Sequence, residues 1–287
     1  MEHTLSKKSV SITVWEQGAE LRSLKYKGEE FMWNADPNFW GKTSPVLFPF
    51  IGGLKDDQYT FLGKTYPGKK HGFARDHKFQ MVRRSHDTLS FVLKSSPETL
   101  QHYPFEFKFY INYQILEKGI SILYKIVNLS KELMFFSLGA HPAFALPQTE
   151  EIGISDYYLE FESVEKASTF QIEGLLISRE KTPVLNGKIL DLSPNLFAKD
   201  AFIFEGLKSE QVTLKCRKTS REVSVDFAGF PYIAFWNVPG AGFLCIEPWC
   251  GINDFTDSQG ILEEKPGIQA LVPEEEFVAE LTIGLKI

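Results

Sequence analysis

The segment YPFEFKFYINYQILEKGISILYKIVN, residues 103–128, limits the possible folds more than any other part of the chain. Phe105, Phe107, Phe109, Ile111, Tyr113 and Ile115 fall on one face of an extended backbone, and Glu106, Lys108, Asn112 and Gln114 fall on the other. Period two is the signature of a strand, whose successive side chains point to opposite sides. A helix would scatter the same rings around its circumference. A turn at Gly119 and a second apolar run complete a predicted hairpin with one buried face, which needs a covering layer.

The rest of the chain repeats this pattern. Val10, Ile12 and Val14 alternate, the run breaks at Gly18, and it resumes through Leu21, Leu24 and Tyr26 before Gly28. Further strand-like runs are YYLEFES, AFIFEGL, QVTLKCRKTSREVSVDFAG, YIAFWNV, GFLCIEPW and EFVAELTIGLKI. An aromatic content of 14%, with 25 Phe and 10 Tyr, suits pleated surfaces. Helical periodicity is confined to SSPETLQHYP, where Ser96 can cap, Pro97 suits the first turn and Pro104 stops the segment. No linker, charge block or repeat divides the chain. The expectation is an all-β protein, a large antiparallel β-sandwich with few short helices, forming one domain over residues 1–287.

Composition narrows the function. At 43% hydrophobic and 24% charged residues the chain reads as an ordinary globular protein. A formal net charge of −6 argues against a nucleic-acid or anionic-membrane partner, and no apolar run reaches membrane-spanning or secretory length, so a cytoplasmic location is expected. Cys216, Cys245 and Cys250 form no zinc or redox spacing and read as reduced structural thiols. Among the six histidines only His71 and His77 are close in sequence, so no metal site is expected.

Three stretches could carry chemistry. FFSLGAHPAFALP puts His141 among apolar and small residues, GKKHGFARDHKF puts His71 beside Gly72 with Arg75 behind it, and AGFLCIEPWCG puts Glu247 inside an apolar strand. Each has a plain alternative: a satisfied core histidine, a turn histidine, or a solvent-facing glutamate. Together they are complementary, because a carboxylate in a partly dry site is pushed towards neutrality and a histidine exchanges protons in the same range.

In order along the chain, HGFAR, GAHPAF, KDAFIF, PYIAFWN and CIEPWCG resemble the aldose 1-epimerase (galactose mutarotase) family, most closely its LacX-like branch. The resemblance implies a supersandwich with a sugar on the concave face of one sheet, Glu247 as catalytic base and His141 as catalytic acid. It also implies His71 and Asp200 as sugar-binding residues, and a reaction that needs no metal or organic cofactor. Arg75 suits a hydroxyl or phosphate, and Phe73, Trp236 and Phe48 are candidate stacking rings, with core packing as the alternative for Trp236. The expected partner is a small carbohydrate and the expected assembly a monomer or homodimer. The alternatives are a hexose-6-phosphate epimerase and a non-catalytic sugar-binding protein. One position departs from the branch: FIGGLKDD has Gly53 where an arginine is usual, so a hydroxyl donor is expected to be missing, with Lys55 a potential substitute and Gly53→Arg expected to improve sugar binding.

Overall fold

The computed structural model describes residues 1–287. The hairpin read from the sequence forms Phe107–Leu116 and Gly119–Asn128, paired antiparallel from Phe107↔Asn128 to Leu116↔Gly119. Glycine is required at the turn: Gly119 has φ +148°, and a Cβ there would lie 1.9 Å from the Ile283 carbonyl oxygen.

The hairpin sits inside a nine-stranded antiparallel sheet, bounded by Gln80–Arg84 at one edge and Leu176–Asp191 at the other. A second, six-stranded sheet is built on Phe243–Cys250, flanked by Tyr232–Trp236 on one side and by Leu138–Ala140 and Ala143–Ala145 on the other. Between these layers lies a core of 65 buried residues, including Phe107, Phe109, Ile111 and Tyr113 from the larger sheet and Phe235, Leu244 and Ile246 from the smaller. A four-stranded N-terminal sheet adds Val10, Ile12 and Val14 to the same core. The fold is the all-β sandwich that the period-two pattern predicts.

The only α-helix is Pro97–His102, capped as expected by Ser96, whose hydroxyl accepts the Thr99 N–H. No helix is long and apolar enough to cross a membrane.

One element is legible only at its start, where YYLEFES reads as a strand. Tyr157–Glu173 and Leu176–Asp191 form a long hairpin whose far half leaves the nine-stranded sheet as an arm. Phe170 and Ile177 of that arm pack on Leu47, Ile203, Ala234, Trp249 and Ile252, on the face of the six-stranded sheet opposite the main core. The tip is fastened there: Gly53 N–H and Asn253 Nδ2 both donate to the Leu175 carbonyl, at 3.2 and 2.8 Å.

Candidate active site

Every residue of Phe243–Cys250 is buried, and alternation divides its two faces. Leu244, Ile246 and Cys250 join the main core, whereas Glu247 and Trp249 line a cavity of about 570 Å³ on the opposite face. Ala143 pairs with Cys245 and Gly139 with Trp249, in one register on both sides of a break at His141-Pro142. That register sets His141 across from Glu247, with Nε2 3.2 Å from Oε2. Both side chains are buried, Glu247 at 1% exposure.

His71 reaches the same cavity from a different loop. Its backbone takes φ +64°, an uncommon state for a side-chain-bearing residue, and two contacts to Gly52 hold it there. His71 N–H donates to the Gly52 carbonyl at 3.0 Å, and Gly52 N–H donates to His71 Nδ1 at 3.1 Å. Because Nδ1 accepts, the neutral ring carries its proton on Nε2. Gly72 allows this geometry: it has φ +68°, and a Cβ there would stand 2.2 Å from the Phe48 carbonyl oxygen.

Electrostatics follow from burial. Desolvation pushes Glu247 well above the ordinary carboxylate range, with Lys70 opposing and Asp200 assisting. Desolvation also lowers His141 to about 3, with Arg75 adding to the effect, and holds His71 well below its usual value. Burial therefore favours a protonated Glu247 facing a neutral His141. That state and the carboxylate–imidazolium state hold the same number of protons, so the pair carries one mobile proton. Cys245 Sγ lies within 4.8 Å of the His141 and Glu247 donor atoms. Burial and the Glu247 charge push its thiol pKa well up, so it packs as a neutral thiol.

Several buried polar atoms here have no hydrogen-bond partner: His141 Nδ1, Glu247 Oε2, Trp249 Nε1, Asn253 Oδ1, Asn237 Nδ2 and Arg75 Nε. All six belong to residues lining the cavity. Unpaired buried polar atoms are costly, and their concentration around one hollow marks a place made for a polar ligand.

Most sequence candidates meet in this cavity. His141, Glu247, His71, Arg75, Asp200 and Trp236 all line it. Asp200 is half-buried at φ +123° and accepts the Ala201 N–H at 2.7 Å, and Arg75 Nη2 donates to the Lys70 carbonyl at 2.9 Å. Phe73 does not line it: its ring packs beside Phe48, His77, Tyr103 and Phe107 because the turn at Gly72 aims it into the core. Phe48 is fully buried core, and Phe73 is partly buried against it. Lys55 points elsewhere, its Nζ donating to the Thr256 carbonyl at 3.1 Å. At Gly53 a Cβ would lie 2.4 Å from the Leu175 carbonyl oxygen, so the space an arginine would need is taken by the arm. The expectation that Gly53→Arg improves binding is corrected accordingly.

Sequence reasoning missed Trp40, Asn237, Trp249 and Asn253 as cavity residues. Asn237 and Trp249 lie inside motifs already singled out, PYIAFWN and CIEPWCG, and that membership was the available signal. Trp40 and Asn253 carry none, since they come from loops placed only by the fold.

A model of the aldose 1-epimerase family matches residues 1–261. Protein LacX of Lactococcus lactis subsp. lactis, in plasmid and chromosomal forms, is 35% identical over 268 residues, covering 89% of this chain and 90% of the relative. A galactose mutarotase related enzyme from Lactobacillus acidophilus superposes with a TM-score of 0.96 at 33% identity, over 100% of this chain and 98% of that one. A galactose mutarotase-like protein from Lactobacillus casei superposes at 0.94 with 29% identity, over 100% of both chains. With its fold, its His141–Glu247 pair and these matches, the chain belongs to the aldose 1-epimerase family.

Proposed function

We propose that this protein interconverts the α and β anomers of an aldohexose or related aldose by acid–base catalysed opening and reclosure of the ring. The observation that carries this reading is the buried His141–Glu247 pair, 3.2 Å apart on the wall of a cavity rimmed with unpaired polar atoms.

Mutarotation needs one group to take the proton of the anomeric hydroxyl while another gives a proton to the ring oxygen. The C1–O5 bond then breaks, the anomeric oxygen becomes an aldehyde, and rotation about C1–C2 presents its other face for reclosure. A pair with one mobile proton always contains one acid and one base, so it serves the forward and the reverse transfers alike. In the carboxylate–imidazolium form Glu247 is the base and His141 the acid; Lys70 favours the Glu247 carboxylate while opposing the His141 imidazolium. His71 offers its Nε2–H to a sugar oxygen, Asp200 and Arg75 take hydroxyls, and Trp236 packs on a sugar C–H face. A small free carbohydrate is the only partner this scheme requires.

A second reading, a hexose 6-phosphate substrate, draws support from Lys70, Arg75 and Lys199, which all line the cavity. Exchange spectroscopy by NMR across hexoses and hexose 6-phosphates tests both. Accelerated exchange of at least one sugar is expected. Sugar binding without faster exchange for any member would identify a non-catalytic binder and overturn the proposal.

A further inference from the structure

A proton-shuttling imidazole usually has its far nitrogen tied to a carboxylate or carbonyl, which fixes the ring. His141 has no such tie: its Nδ1 is buried without a partner. Its Nε2 approaches Glu247 Oε2 at 3.2 Å, yet that oxygen also has no hydrogen-bond partner. No side-chain partner therefore ties the far side of this ring, and the single Glu247 contact does not fix its plane.

Aromatic packing does. Trp40 lies face-on to the imidazole, ring centroids 4.9 Å apart and planes 24° apart. Trp236 and His71 meet it edge-on, at 5.9 Å and 85° and at 5.8 Å and 81°. The indole is itself anchored. Trp40 N–H donates to the Asp36 carbonyl at 2.9 Å, the Trp40 carbonyl accepts Trp33 Nε1–H at 2.8 Å, and the ring stacks on Phe243 at 5.6 Å.

We infer that Trp40 is the positioning residue of His141, replacing the usual hydrogen-bonded orienter with a stacked ring that keeps Nε2 facing Glu247. This rests on the proposed acid–base role of His141. Rotation of the imidazole out of its plane would drive a ring edge into the indole face. The same face also attracts the imidazolium each time His141 takes the proton.

The test compares Trp40→Leu with Trp40→Phe, which keeps a flat ring. Misplacing a reacting group by about 1 Å can cost on the order of 10²-fold, so Trp40→Leu should lower kcat for anomer exchange by about that factor with a smaller change in KM, and Trp40→Phe should recover most of it. In parallel, NMR follows the six histidines, with the His141 ring protons identified by their loss in His141→Asn. These protons should be shifted upfield in the wild type by the stacked indole and move downfield in Trp40→Leu. Trp40→Met takes the place of a leucine variant that does not fold. Wild-type kcat in Trp40→Leu, an equal loss in Trp40→Phe, or unmoved His141 resonances would each overturn the inference. If the wild type exchanges no sugar, the functional reading fails, and the His141 shifts still decide whether Trp40 holds the ring.

Discussion

His141 and Glu247 are separated by about a third of the chain and, in the proposed shuttle, act through one proton, so their contributions to exchange are coupled. Glu247→Gln keeps shape and hydrogen-bonding capacity but removes the mobile proton, so sugar should still bind while exchange falls by about 10²–10⁴-fold. His141→Asn should do the same. The double variant should lose less than the product of the two effects, because the groups act as one shuttle. NMR exchange rates beside direct binding measurements check all three. Stability should move the other way. Glu247 has a folded-state pKa raised well above its unfolded value, so its contribution is fully present below the ordinary carboxylate range and is lost as pH rises towards the folded value. Glu247→Gln should therefore match the wild type in acid and become the more stable protein as pH rises towards about 8. Urea unfolding across this pH range checks it, and a constant gap would place the burial cost elsewhere. Each of these residues has a plain alternative by itself, and the order of GAHPAF and CIEPWCG, which resembles the family, is what singled them out as candidates. Their 3.2 Å separation was not legible, because it depends on a register between strands far apart in sequence.

Among the elements, the arm and the loop behind it shape the cavity. Gly53→Arg, expected from sequence to restore a hydroxyl donor, meets the Leu175 carbonyl at 2.4 Å from its first side-chain atom. It should destabilise by about 1–3 kcal/mol, as overpacking commonly does, and raise KM by displacing a cavity wall. Denaturant unfolding and KM for a hexose that the wild type exchanges test this together. The loop from Gly251 onward is pinned by Lys265 Nζ to Asp254 Oδ1 at 2.9 Å, with side-chain exposures of 2% and 3%. Asp254 Oδ2 accepts the Lys55 N–H at 2.9 Å, and the adjacent Asn253 holds the arm tip. Lys265→Ala leaves a buried carboxylate without its cation and should cost about 3–5 kcal/mol in unfolding free energy. The Phe107–Asn128 hairpin and the Pro97–His102 helix were readable because local rules, alternation and capping, decide them. The arm was not, since much of Leu176–Asp191 is exposed and shows no alternation.

At the scale of the whole molecule, a net charge of −6 opposes anions while Lys70, Arg75 and Lys199 collect positive charge at one cavity. Neutral hexoses should be exchanged at least as well as their 6-phosphates, with a KM that does not respond to salt. Any activity on a 6-phosphate should weaken as ionic strength rises, because screening acts on exposed Lys199 and on the half-buried Lys70 and Arg75. Steady-state kinetics from low to high salt decide the matter, and a strong phosphate preference would reverse the reading. What the sequence by itself determined is the sandwich, its buried faces and the residue types able to move a proton, because these rest on neighbours a few positions apart. Only the tertiary structure decided that Trp40 covers His141, that Phe73 packs against the core and not on the cavity, and that the arm fills the space beside Gly53. Such contacts join loops and strands across long stretches of chain, where packing and register, not local preference, determine which groups meet.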